Sequence, residues 1–148
     1  MREIKFRGRH PKTGKWFLGW LTQLPSDDSY QIIDYGEGGG GSCHDVDPAT
    51  VGQYTGHSDV MGTDMYEGDI VTGYFEEDEW PAVVEWDEVS ARFVLSGQSS
   101  VIPFDGMGDL EVVTIGNIHD NPELLTGDKT HQINSQKLAF LRRLRRTN

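Results

Sequence analysis

Cysteine is nearly absent: Cys43 is the only one in 148 residues. An internal disulfide is therefore excluded, and the composition fits a reducing compartment. Long apolar runs are missing as well. No stretch approaches the roughly 20 apolar residues that a membrane-spanning helix requires. The N-terminus, MREIKFRGRH, is charged and lacks the apolar core of a signal peptide. These absences predict a soluble, cytoplasmic protein without membrane contact. Metal and nucleotide signatures are lacking too: no C-x-x-C, no H-E-x-x-H, and no glycine loop ending in Lys-Ser or Lys-Thr.

Positive charge is missing from most of the chain. Residues 16–128 keep only Arg92, while the other 12 of 13 Lys and Arg lie in 1–15 and 129–148. All but Glu3 of the 24 carboxylates fall in that middle, and the net charge is -11. An acidic body repels nucleic acid and anionic membrane, so no strong nucleic-acid binding is expected of it. The basic ends would contact phosphate or fold back onto the acidic body.

What is present is a series of short strand patterns between turn residues. REIKFR (2–7) and KWFLGWL (15–21) flank the Pro11–Gly14 turn and read as a hairpin. SYQIIDY (29–35) is a third strand, and GEGGGGSC (36–43) a glycine connector. Asp47-Pro48 and Asn121-Pro122 each read as a cap followed by a proline at the first helical position. DIVTGYF (69–75), WPAVVEW (80–86), ARFVLSG (91–97) and EVVTIGN (111–117) are further strands. In WPAVVEW, Trp86 should point inward and Glu85 and Asp87 outward. The absence of βαβ alternation predicts a mainly β fold: a small antiparallel SH3-like barrel or curled sheet, with short helices and a C-terminal helix. The domain is expected over 1–125, followed by a polar linker and a basic tail over 126–148.

The stretch TGHSDVMGTDMYEGDIV (55–71) gathers His57, Asp59, Asp64, Glu67 and Asp69. Its spacing fits neither a zinc site nor a calcium loop. A structural role accounts for more residues. Gly62 and Gly68 would take positive φ in turns, and the Asp69 carboxylate would accept a backbone N–H at the corner. No metal and no cofactor is predicted. Cys43-His44 lies in a glycine-rich segment that offers little preorganisation for a nucleophile pair. The consecutive acids 76–79 read as a solvated loop tip, and the aromatic residues mostly as core.

Three blocks resemble the YopX family of phage and prophage proteins, over residues 1 to about 125. They are MREIKFRG; then Gly52, Gln53, Tyr54, Thr55 and Gly56 with Asp59, Gly62, Tyr66, Glu67, Gly68 and Asp69; then Gly116, Asn117, Asn121 and Pro122. The resemblance implies a barrel-like fold and a phage or prophage origin. It implies no activity. HSDVMGTD stands where the family often carries a lysine-rich segment, so an anion-binding role for that loop loses support.

The expected function is that of a noncatalytic accessory protein that binds a protein partner or self-associates. Two alternatives stay open: an acidic DNA mimic or nucleic-acid-linked regulator, and a metal-dependent hydrolase. For the tail, Leu138, Phe140, Leu141 and Leu144 with Arg142, Arg143, Arg145 and Arg146 form a basic amphipathic pattern. It is expected to contact a partner, docking on an acidic surface of a second subunit.

Overall fold

The computed structural model describes residues 1–36, 38, 40–75, 78–98, 100–104, 111–126, 139 and 143. The chain forms two compact units, 1–56 and 57–148.

The first unit is an antiparallel sheet. Its strands are β1 (Phe6–Arg9), β2 (Trp16–Gln23), β3 (Tyr30–Asp34), β4 (Cys43–Val46) and β5 (Gly52–Ser58), in the spatial order β4-β3-β2-β1-β5. β5 runs past residue 56 and is followed in that order by β6 (Asp64–Tyr66), its hairpin partner. The β1–β2 hairpin closes as the turn residues dictate. Gly14 takes φ 72° and donates its N–H to the His10 carbonyl. Register then sorts the faces. Gly8 lies opposite Phe17, Leu21 opposite Ile32, and Tyr30 opposite Val46; this is the covered face, with Ile32 and Val46 buried. Arg7, Leu18, Trp20, Ile33 and Cys43 occupy the other face. β4 departs from the sequence reading, which placed Cys43 at the end of a connector. CHDV has no apolar alternation, and its pairing with β3 is what makes it a strand. A one-turn 3-10 helix, Pro48–Thr50, follows; Asp47 caps it by accepting the Ala49 N–H. Thr50 then accepts the Arg9 N–H, tying this corner to β1.

The second unit contains β6, β7 (Asp69–Phe75), β8 (Asp78–Asp87), β9 (Arg92–Ser96), β10 (Val101–Pro103) and β11 (Val112–Asn117). Its sheet runs β10-β9-β8-β7-β11, so the last strand returns to pair with the first of the meander. Val71, Ala82, Val84 and Leu95 form its core with Met65 and Val112. Burying each of the Val, Leu and Met side chains fully is worth about 1.5–3 kcal/mol. Trp86 pairs with Phe93 on this same face but at its rim, and remains 44% exposed. Asp78 and Glu79 belong to the backbone ladder of β8, opposite Phe75 and Tyr74, rather than to a loop tip.

Closure into one barrel is not found among the described residues. One sheet ends on β4 and β6 and the other on β10 and β11, and β10 carries Pro103, which cannot donate to a further strand. The second cap reading also changes. Pro122–Leu125 is a 3-10 helix whose N-cap Asn121 makes no side-chain capping bond. Of the tail, Ala139 and Arg143 are helical and exposed. Leu138, Phe140, Leu141, Arg142, Leu144, Arg145 and Arg146 lie outside the described residues, as do Glu76 and Glu77.

Candidate functional site

The acidic stretch resolves into backbone locks. Asp59 is only 6% exposed, and its carboxylate accepts three backbone N–H groups. Oδ1 takes those of Met61 and Thr63, both at 2.9 Å, which fixes the loop to β6. Oδ2 takes that of Thr114 in β11, also at 2.9 Å. The loop reverses at Gly62, with φ 82°, and Val60 donates to the Val112 carbonyl. Asp64 accepts the Ser58 hydroxyl at 2.9 Å. His57 packs its ring against Phe104.

The second turn works the same way. Asp69 is buried, and its Oδ2 accepts the Tyr66 N–H at 2.8 Å. Gly68, with φ 84°, donates to Val84 and accepts from Ile118 through its carbonyl. At the far end, β11 is bulged between Thr114 and Gly116. Asn117 Oδ1 accepts the N–H groups of His119 and Asp120, and Asn121 Oδ1 accepts that of Asn117. In the first unit, Gly52 and Thr55 are buried on β5, and Gln53 lies opposite Phe6. Tyr54 lies beneath the Lys5 ammonium, 4.4 Å from its ring centre, and Gly56 takes φ 84°. The motif residues therefore shape corners and strand registers; Asp59 and Asp69 point at different backbone groups. No cluster of three His, Cys, Asp or Glu arranged to hold a metal occurs among the described residues.

Cys43 and His44 are neighbours on a strand, so their side chains lie on opposite faces. His44 stacks on Phe17, with ring centres 3.7 Å apart, and its Nε2 is 2.9 Å from Asp34 Oδ2. The other Asp34 oxygen accepts the Ser42 N–H. His44, and after it the Ser42 amide, hold the Asp34 carboxyl below the usual carboxylate range. This arrangement ties Ser42 to the end of β3 and leaves the thiol pointing the other way.

The feature that suits recognition is the open face of the first sheet. Leu18 and Trp20 point out from β2 and are 47% and 57% exposed. Tyr35 (46% exposed) meets Trp20 edge-on, with ring centres 5.3 Å apart. Burial and the neighbouring Glu3 raise the Tyr35 pKa, so its hydroxyl stays protonated at neutral pH. Beside them on β1, the Arg7 guanidinium sits 4.9 Å from the Trp16 ring centre. Composition assigns these rings to a core. The signal that separates them is parity: Lys5, Arg7 and Arg9 alternate before the turn, and Trp16, Leu18 and Trp20 alternate after it.

No helix among the described residues is long and apolar enough to cross a membrane. The crystal structure of protein EF1440 from Enterococcus faecalis is similar to this chain, with a TM-score of 0.53 and 21% identity. The similarity covers 84% of this chain and 99% of that one, and it establishes a shared fold. No curated protein matches the chain. The family model for YopX protein matches residues 5–126, a span that contains each corner motif described above. The chain belongs to the YopX family.

Proposed function

We propose that the chain is a noncatalytic accessory protein of a bacteriophage or prophage, and that it works by binding another protein. The observation that carries this reading is the outward set Leu18, Trp20 and Tyr35 on an ordered sheet. Aromatic side chains held on a rigid strand bury much area for little lost entropy, and contacts of this kind anchor protein interfaces. The carboxylates of Asp59 and Asp69 support the same reading from the other side, because backbone amides already engage them.

The test is affinity capture of the tagged full-length chain from host cells carrying the induced phage. Wild type is compared with Trp20→Ser and Leu18→Ser. A partner retained by wild type and lost by both variants supports the proposal. Identical capture by all three refutes it.

A further inference from the structure

We propose that the chain pairs with a second copy of itself through the outer edge of β4, in an antiparallel two-fold contact centred on Cys43. The contact uses a strand edge rather than the face that carries Leu18, Trp20 and Tyr35, so it stands apart from the partner recognition proposed above.

β4 ends its sheet, with β3 on one side only. Bond direction shows what the other side offers. The Asp34 N–H donates to the Ser42 carbonyl, so even-numbered residues of this segment turn their backbone groups to β3. Odd-numbered residues turn theirs away, and the Asp47 N–H, bonded to the Arg9 carbonyl, already does so. The backbone N–H and C=O groups of Cys43 and Asp45 therefore line the outer edge, and both residues are exposed. Such an edge is a template for another strand unless something guards it. The other sheet ends are guarded. β10 carries Pro103, and β6 buries Met65 and Tyr66. On β11, Asp59 accepts the Thr114 N–H and Val60 donates to the Val112 carbonyl. CHDV holds neither lysine nor proline, and Gly41 before it has no side chain to obstruct an approach. The Asp45 carboxylate is held by Gln31 at 2.7 Å, back across its own sheet.

The edge selects a copy of itself. With Cys43 opposite Cys43 of the second copy, Asp45 faces Gly41 of that copy, and the outward groups of both residues are satisfied. The two Asp45 residues then stand four positions apart, about 13 Å along the strand. A register with Cys43 opposite Asp45 brings them to about 7–8 Å, where like charge opposes it. The first register also extends a row of side chains. Trp20 lies opposite Ile33, and Ile33 opposite Cys43, so the row meets the same row of the second copy at the two-fold axis. A strand of unrelated sequence gains the backbone bonds alone. A second copy gains the bonds, the charge spacing and the continued row. Each chain carries a net charge of -11, so salt strengthens this pairing by screening the repulsion. Docking of the basic tail on an acidic body has the opposite salt dependence.

Sedimentation equilibrium of the full-length chain under reducing conditions tests the proposal. A dimer is expected, tighter at about 0.5 M than at about 0.05 M sodium chloride. Cys43→Lys sets two lysines directly opposite each other, and Asp45→Pro removes an outward donor without touching the ladder to β3. Each should weaken the dimer about tenfold. Melting curves check that the variants are folded; Cys43→Lys, at an exposed site, serves alone if Asp45→Pro is not. A second readout is covalent. Residues of a hydrogen-bonded pair have Cα atoms about 5.5 Å apart, within reach of a disulfide. Copper(II) phenanthroline should therefore join the Cys43 thiols of two chains; the thiols give up two electrons to two Cu(II) ions and two protons to water. Folded Asp45→Pro should cross-link about tenfold more slowly. A monomer at millimolar concentration overturns the proposal, whether or not the oxidant cross-links it. So does a dimer of unchanged strength in the folded variants. A dimer that weakens as salt is added overturns it in favour of the tail.

Discussion

Replacing Asp59 by alanine removes the acceptor for three backbone N–H groups at once. The loss is unequal. Met61 and Thr63 are exposed, so water takes over their N–H groups at modest cost. The Thr114 N–H lies within β11 and is partly buried, and an unsatisfied donor of this kind costs about 1–3 kcal/mol. The lost charge-assisted bonds and the freed loop bring the expected destabilisation to about 2–4 kcal/mol. Against a typical total of about 5–15 kcal/mol, that is a large share. In urea, with a slope of about 2 kcal/mol per molar, the midpoint should fall by roughly 1–2 M. Asp59→Asn should lie between wild type and alanine. Its one remaining oxygen can serve either the loop or Thr114, and its amide cannot accept. Tryptophan fluorescence during urea titration reads all three proteins. A change below about 0.5 kcal/mol for Asp59→Ala, the size of a bland surface substitution, would refute the reasoning. So would a wild type strongly stabilised by zinc or calcium, with the gain lost in the variant, since Asp59 would then be a ligand.

Gly68→Val forces a β-branched residue into φ 84° and should cost roughly 1 kcal/mol or more, read by the same titration; an unchanged midpoint contradicts it. Asp34 has a depressed pKa in the folded chain, so its contribution is present above the ordinary value of 3.8 and is lost as pH falls through the lower folded value. The Ser42 amide resonance should report that titration with a midpoint below 3.8, and a midpoint at or above 3.8 speaks against the His44 contact. Duplex and single-stranded DNA should show no strong electrophoretic shift at moderate salt; submicromolar binding that weakens steeply with salt would overturn this. Light scattering on the full chain and on residues 1–128 tests the proposed docking of the basic tail on a second subunit. Equal monomeric masses at high concentration would exclude it.

The strands most legible in the sequence are those whose own residues alternate or run apolar between turn signals. DIVTGYF, ARFVLSG and the hairpin around Pro11–Gly14 are of this kind, and they form β7, β9 and β1–β2. β4 and β10 were not legible, because CHDV and VIP are too short to show a period and become strands through their partners. The corner roles of Gly62, Gly68 and Asp69 could be anticipated, since a local side chain or a positive φ explains them. Asp59 could be placed in a turn, but its bond to Thr114 spans 55 residues and no local pattern announces it. Asn121 resembled a cap locally, yet its side chain turns back to Asn117 instead. Trp20 was hidden for a different reason. Composition counts an aromatic ring as core, and only strand parity puts it in solvent beside the arginines of β1.

The return of β11 to the side of β7 has a consequence for synthesis. On the ribosome, β7, β8, β9 and β10 emerge in order and can zip together as hairpins while the chain is still growing. Throughout that interval the outer edge of β7, with its buried Ile70, Val71 and Thr72, stands without its neighbour. Such an edge is a template for pairing with another nascent chain. Residues 112–117 remove that hazard, and the Thr114 amide engages Asp59 as they dock. A chain that stalls before residue 112 carries every other strand of this sheet and lacks the one that covers β7. It is therefore expected to aggregate, while a chain that ends just after residue 126 is not.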